Sequence, residues 1–274
     1  MVSQDPIAFS IGSLEIRWYG ILIAVALLVG IVISYFIAKY RGEKQDEVIN
    51  FAPFAVIFGV IGARLLHVVV NWSYYSGHLS YILAFRKGGL AIQGVMLGGI
   101  LALVVFCKIR KLDFWKWADI MAPALLFGQA IGRWGNYFNQ EAFGMPTSLP
   151  WGIYIDPINR PPSYSNAEFF HPTFLYESIA NLVLFALLLL ILRLYNKRPD
   201  KFPNGLVFAT YLGVYAIYRS IIEYYRIDSS FVLGIKVVYI LDGITIIAVL
   251  IIINYLVKKF REKKIREEIE KLEE

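Results

Sequence analysis

Between Tyr19 and Ala38 the chain reads YGILIAVALLVGIVISYFIA, twenty residues without a charge. About twenty apolar residues wound into a helix match the hydrocarbon thickness of a bilayer. Comparable runs recur along the chain. Seven are read as spans, near 19–38, 50–71, 90–107, 118–137, 173–192, 206–225 and 238–257. This pattern restricts the fold more than any other feature, because backbone groups in hydrocarbon must be satisfied internally and a helix does so within one segment. Composition points the same way: 58% of residues are hydrophobic and 18% charged, against roughly 25% charged in soluble domains. The expected fold is an all-α polytopic membrane protein with seven transmembrane helices. Residues 1–257 would form one integral membrane domain and 258–274 a charged cytoplasmic tail.

The charges between the runs set an orientation. With the N-terminus outside, the inside segments 39–44, 108–116, 193–201 and 258–271 carry eighteen Lys and Arg. The outside segments 1–18, 72–89, 139–172 and 226–237 carry six. Basic residues concentrate on the cytoplasmic side, so the C-terminus is expected there. The N-terminus has neither a basic n-region nor a small-residue cleavage site, and no removable signal peptide is expected. A net charge of +6 does not point to nucleic acid. The largest basic cluster, KKFREKKIREEIEKLEE, is mixed in sign and reads as a solvated helix. The one cysteine, Cys107, excludes a disulfide framework. The absence of an internal repeat disfavours an inverted-repeat transporter. No metal or cofactor is called for, since His67, His78 and His171 are scattered.

Arg64, Arg133 and Arg219 lie inside or at the edge of spans. A charge at membrane depth is costly and normally faces a polar cavity. The planar guanidinium suits two-point binding of phosphate or carboxylate. Three such groups around one cavity would suit an anionic ligand of the membrane itself, a phospholipid headgroup above all. The fourth span ends in GRWGNYFNQEAFG, residues 132–144, which sets Arg133, Asn136, Asn139 and Glu141 directly behind an apolar run. In the sixth span Tyr215, Arg219, Glu223 and Arg226 fall on one helical stripe. An Arg219–Glu223 ion pair would explain how those charges are tolerated but not why they are present. The fifth span opens HPTFLYES: His171 and Pro172 mark a helix start with proline first, and Tyr176 and Glu177 follow a turn later. His171 reads equally well as an interfacial cap.

Gly94 and Gly98, and Gly128 and Gly132, have the spacing that lets helix backbones approach, and packing is their better reading. The stretch GGLAIQGVMLGG lacks the strand and lysine of a phosphate-binding loop. The outside connection 139–172, rich in proline and aromatic residues, is expected to be an ordered extracytoplasmic loop near the headgroups, and the loop at 72–89 is rich in Tyr and Trp.

These segments resemble the bacterial prolipoprotein diacylglyceryl transferases. GRWGNYFNQEAFG is similar to the family signature, and WYG at 18–20, GARLLHVV at 62–69, HPTFLYES at 171–178 and YRSIIEYYR at 218–226 match further family segments in order. The resemblance covers roughly residues 17–257. It implies a seven-span enzyme of the bacterial inner membrane, with its active site toward the outer side. Such an enzyme moves the diacylglyceryl group of phosphatidylglycerol to the lipobox cysteine of a prolipoprotein signal peptide and releases glycerol phosphate. Carried over by motif, Arg133, Asn136, Glu141, Arg219 and Tyr19 are the expected catalytic set. Arg133, Asn136, Asn139, Gly144, Arg219, Glu223, Arg226, Gln93, Arg64, His171 and Tyr176 are expected to bind phosphatidylglycerol. One position departs from the family. Many members carry histidine where this chain has Gln93, and an amide takes no proton at neutral pH. The rival reading is a transporter or lipid-binding protein for an anionic ligand.

Overall fold

A computed structural model describes residues 5–84, 88–198 and 201–273. Arg86 and Lys87, counted above among the outside charges, lie outside the described residues. The chain is mostly helical: α1 (Trp18–Tyr40), α2 (Asp46–Val70), the single turn α3 (Trp72–Tyr75), α4 (Ile92–Arg110), α5 (Phe114–Phe138), α6 (Thr173–Lys197), α7 (Leu206–Glu223) and α8 (Val237–Glu273). Among the described residues, α1, α2, α4, α6, α7 and α8 are long and apolar enough to cross a membrane. Their outward faces carry large apolar side chains such as Leu28, Val69 and Ile251, each more than 60% exposed. In water such faces would be costly; against lipid they are at home. This is the pattern of a multi-pass membrane protein.

The fourth expected span, 118–137, coincides with α5 but fails the apolarity test the other six pass. The reason is its surroundings. Trp117, Asp119, Ile120, Ala122 and Leu126 on this helix are all fully buried. A helix packed on much of its length against protein has less need to match lipid than one whose faces are all exposed, so Asp119, Gln129, Arg133 and Asn136 can sit along it.

The all-α expectation needs correcting, because three short antiparallel pairs occupy the connections. They are β1 (Ile7–Ile11) with β2 (Leu14–Arg17), β3 (Ile153–Tyr154) with β4 (Phe169–Phe170), and β5 (Phe231–Val232) with β6 (Ile235–Lys236). The β5–β6 turn is Leu233–Gly234, with φ of +51° and +78°. Two left-handed residues in succession are what a two-residue hairpin turn demands. The charged tail is not a separate element either. It continues α8 without a break to Glu273, with Lys263 and Glu267 paired one turn apart at 3.5 Å.

The chain divides into two compact units, residues 34–120 and residues 1–33 with 121–274. In the first, α2 and α4 pack backbone to backbone. A Cβ on Gly94 would collide with the Gly62 carbonyl oxygen, and one on Gly98 with that of Phe58. Gly128 and Gly132 do not serve in this way: their nearest neighbours, in Ala26 and Ile23, would stand at ordinary distances of 3.7 and 3.9 Å from an added Cβ. In the second unit the connection 139–172 is folded. It has its own small core of Phe143, Ile155 and Phe170, with Ile153, Tyr164, Ala167 and Ile227 packed around it.

Candidate active site

Where α5 ends, α6 begins and α7 ends, buried charges of both signs meet. Glu177, one turn into α6 and 1% exposed, pairs with Arg133 of α5 at 2.5 Å and with Arg226 at 3.2 Å, and lies 3.9 Å from Nε of Arg219. Glu223, the last residue of α7 and as deeply buried, pairs with Arg219 at 2.6 Å one turn behind it. Glu223 also accepts a hydrogen bond from Ser229 at 2.6 Å. Arg226 lies beyond the end of α7 rather than on its stripe, and it reaches Glu177 because the chain turns there. Its fork also grips Asp228 with two bonds, of 3.0 and 2.7 Å. Lys236 donates to the carbonyls of Glu223 and Arg226, closing that turn. Burial alone would raise the Asp228 carboxyl, but the Arg226 hydrogen bond and charge win and hold it below the usual carboxylate value.

Next to this cluster, α5 ends in a reversal that builds the polar signature. The N–H of Glu141 bonds to the carbonyl of Asn136 and that of Gln140 to Tyr137. This is the double bond pattern of a Schellman cap, whose left-handed position is usually glycine. Here it is Gln140, at φ +48°. A left-handed side-chain-bearing residue costs about 1–2 kcal/mol. Its side chain offsets that cost by donating to Asp156 at 2.7 Å and accepting from the Asp156 N–H and from Asn159. The reversal swings Glu141 back over the helix end, where Asn136 and Asn139 both donate to its Oε1, at 3.0 and 3.1 Å. Glu141 is exposed, and among the described residues it makes no ion pair with an arginine. Tyr19, at the start of α1, is an electrostatic neighbour of both Glu141 and Arg133. Gly135 makes room for its ring, since a Cβ there would overlap Tyr19 Cδ2.

Gly144 ties the loop to the cluster. Its N–H donates to the His171 carbonyl at 2.9 Å, and an added Cβ would lie 2.8 Å from His171 Cβ and 2.9 Å from the Tyr225 carbonyl. Thr173 closes the same seam by donating to the Ala142 carbonyl. Gly144 is therefore a close-packed backbone junction. α6 starts at Thr173 with Pro172 as its cap, one residue later than expected. His171 Nδ1 and the Tyr176 hydroxyl are 3.0 Å apart, and Trp151 Nε1 donates to that hydroxyl at 2.9 Å. Burial holds the His171 imidazole below its ordinary pKa. His171, Tyr176, Tyr218, Ile222 and Tyr225 line a cleft of about 400 Å³. Tyr176, Tyr218 and Tyr225 each directly precede a member of the ionic cluster, so the cleft runs along the neighbouring face of the same elements.

A family model for prolipoprotein diacylglyceryl transferase matches residues 6–256. This chain belongs to the prolipoprotein diacylglyceryl transferase family. A relative in Acaryochloris marina is 47% identical over 227 residues, which is 83% of this chain and 81% of its own. One in Trichormus variabilis is 45% identical over 247 residues, covering 89% and 87% of the two chains. One in Thermosynechococcus vestitus is 41% identical over 244 residues, covering 89% and 90%. All three carry the name phosphatidylglycerol–prolipoprotein diacylglyceryl transferase.

Of the residues singled out from the transferase motifs, the structure brings together Arg133, Arg219, Glu223 and Arg226, with Asn136, Asn139, Glu141 and Tyr19 alongside. Arg64 and Gln93 belong to the other unit. There the Arg64 guanidinium is turned onto backbone. It donates to the carbonyls of Ile82 at 2.8 Å, Gly88 at 2.6 Å, Gly89 at 2.9 Å, Tyr81 at 2.5 Å and Ala84 at 3.4 Å. Gly88 and Gly89 have φ near +80°, which brings their carbonyls to it. Arg64 thus organises its own loop. Gln93 is exposed in the first turn of α4.

Sequence reasoning missed Glu177 as a site residue, along with Asp228 and Lys236. The signal was present: a carboxylate one turn inside an apolar span is as anomalous as an arginine.

Proposed function

We propose that this chain transfers the diacylglyceryl group of phosphatidylglycerol to the thiol of a prolipoprotein lipobox cysteine, releasing glycerol phosphate. The thiolate sulfur bonds to the glycerol carbon that bears the phosphate ester, and the carbon–oxygen bond breaks with its electrons going to the phosphate. The phosphate passes from one negative charge to two, and the thiol proton leaves with a base. Cations fixed where that charge grows lower the barrier, because they hold the transition state more tightly than the substrate. One observation carries this reading. The Arg133 side chain is 24% exposed while its partner Glu177 is 1% exposed, so of the two paired charges the cation is the one open to a ligand. Arg219 supports the same charge, and Asn136 and Asn139 supply donors for phosphate or glycerol oxygens.

Glu141 is the best-placed proton acceptor. It has two amides on one oxygen and, among the described residues, no arginine paired with it, and Gln93 cannot take that role. A thiol of pKa about 8.5 needs little help once arginines are near. Tyr19 stands beside Glu141 and orients the peptide or the glycerol. The names of the relatives support this reading over transport of an anionic solute.

The chain crosses the inner membrane seven times, with α5 as the fourth span, the N-terminus outside and the C-terminus in the cytoplasm. The distribution of Lys and Arg supports this. The site then lies toward the outer side, under the folded connection 139–172. The test uses purified protein in detergent with phosphatidylglycerol and a synthetic lipobox peptide, read by mass spectrometry. A single diacylglyceryl adduct with wild type and none with folded Arg133→Ala is the expected result. No adduct from folded wild type would favour lipid binding or transport.

A further inference from the structure

We infer that Glu177 is a positioning residue for the transfer: it fixes Arg133 and Arg219 in the geometry that receives the phosphate. The inference rests on the transferase reading above. A carboxylate has two oxygens to offer. Oε2 of Glu177 faces Arg133 at 2.5 Å and Arg219 at 3.9 Å, and Oε1 faces Arg226 at 3.2 Å. With 1% of its side chain exposed and both oxygens turned to guanidinium groups, Glu177 presents nothing to a ligand. Its role is exercised through the arginines.

The other acidic partners are local. Glu223 reaches Arg219 within α7, and Asp228 reaches Arg226 two residues away. Those pairs would form whether or not α5 were near. Arg133 is different, because among the described residues Glu177 is the one carboxylate that pairs with it. Glu177 is therefore the ionic link that registers the α5 arginine against those of α7 and the turn after it. Arg133 keeps 24% of its side chain exposed, whereas Arg219 and Arg226 keep 13% and 11%. The carboxylate thus pairs with the most open of the three cations. A binding constellation held by a rigid supporting residue keeps its geometry, and a misplacement of about 1 Å costs on the order of 100-fold in rate.

The charge at this position gives the test a signature beyond loss of structure. Glu177→Gln keeps the volume and removes one negative charge behind the arginines. An anionic phospholipid then becomes their replacement counter-ion and binds more tightly, while the guanidinium groups lose the anchor that places them for the developing dianion. Adduct formation is measured at varied phosphatidylglycerol for wild type, Glu177→Gln and Glu177→Asp, with folding checked by thermal melting. The expected result is a kcat for Glu177→Gln about 100-fold below wild type with a lower KM for the lipid. Glu177→Asp, which keeps the charge on a shorter arm, recovers part of kcat at near wild-type KM. A kcat that falls with KM unchanged, in step with the folded fraction, would mean that Glu177 is merely structural and overturns the inference. So would a kcat that does not fall. If Glu177→Gln does not fold, the pair Glu177→Gln with Arg226→Gln restores the charge balance. Its kcat is expected to stay low, and a return toward wild type would equally overturn the inference. Wild-type protein that makes no adduct sinks the transferase reading itself, whatever the variants do.

Discussion

Alanine at Gly135 tests whether the signature segment acts through Tyr19. A Cβ at this position would overlap Tyr19 Cδ2 and lie 2.9 Å from Cε2 and 3.2 Å from Cγ. Carbon atoms in good contact stand about 3.5–4.0 Å apart, so the ring must retreat by about 1 Å. Gly135 is buried within α5, and the overlap involves the near edge of the ring rather than a free tip, so a small side-chain twist does not relieve it. Overpacking of this kind costs about 1–3 kcal/mol, against a gain of up to about 1 kcal/mol from replacing glycine in a helix. The net expectation is a modest loss of stability and a large loss of rate, about 100-fold, because a displaced catalytic group loses far more than a displaced packing group. Peptide adduct formation gives the rate and thermal melting gives the stability. The decisive comparison is made in a Tyr19→Ala background. There the Gly135→Ala change meets open space, and its stability cost disappears or reverses. The reasoning is refuted if Gly135→Ala transfers at the wild-type rate, or if its effect on melting is the same with and without the tyrosine ring.

Two further outcomes follow from the geometry. Arg64→Met strips five backbone carbonyls of their guanidinium donor; each group left unsatisfied costs about 1–3 kcal/mol, so a marked drop in melting temperature and faster amide exchange at Tyr81–Ala84 are expected, and Arg64→Lys should not restore the fork. Asp228 is held below the usual carboxylate value by Arg226 despite partial desolvation, so its contribution to stability is complete above a pH of about 3.9 and fades as pH falls through the lower folded-state value. Melting followed against pH should lose that acid-side component in Asp228→Asn and keep it in wild type.

Six of the seven expected spans were legible in the sequence as long apolar helices, because length and apolarity suffice to define them. The run at 19–38 became α1 (Trp18–Tyr40) and that at 206–225 became α7 (Leu206–Glu223). The paired glycines of α4 were legible for the same local reason, yet Gly128 and Gly132 share their spacing without a close neighbour, because spacing does not say which helix lies opposite. Hairpins of two residues per strand have too little periodicity to announce themselves, so β3–β4 and β5–β6 were not foreseen. The site was legible by motif and not by role. Arg64 and Arg133 are equally anomalous in an apolar run, and only the fold shows that one is turned onto carbonyls of its own loop while the other faces a buried carboxylate. Gly144 was legible as part of the motif, but the close packing around it was not, because it depends on His171 and Tyr225 arriving from distant parts of the chain.

The burial of the cluster also bears on how it can select a transition state. Arg133, Arg219 and Arg226 are met by Glu177, Glu223 and Asp228. Three uncompensated cations at low dielectric would cost far more than the fold could offset. Matching carboxylates offset most of that charge and also limit the pull on a ground-state phosphodiester, which brings a single charge to a cluster largely neutralised, with Lys236 as an added cation. On the proposed reading the gain comes when the departing phosphate acquires its second charge near Arg133, the most exposed of the three cations. A net positive pocket would grip substrate and transition state alike and gain little in turnover; a neutralised one with fixed donors favours the state in which charge has grown. The carboxylates that make the arginines tolerable in the membrane are, on this argument, also what makes them selective.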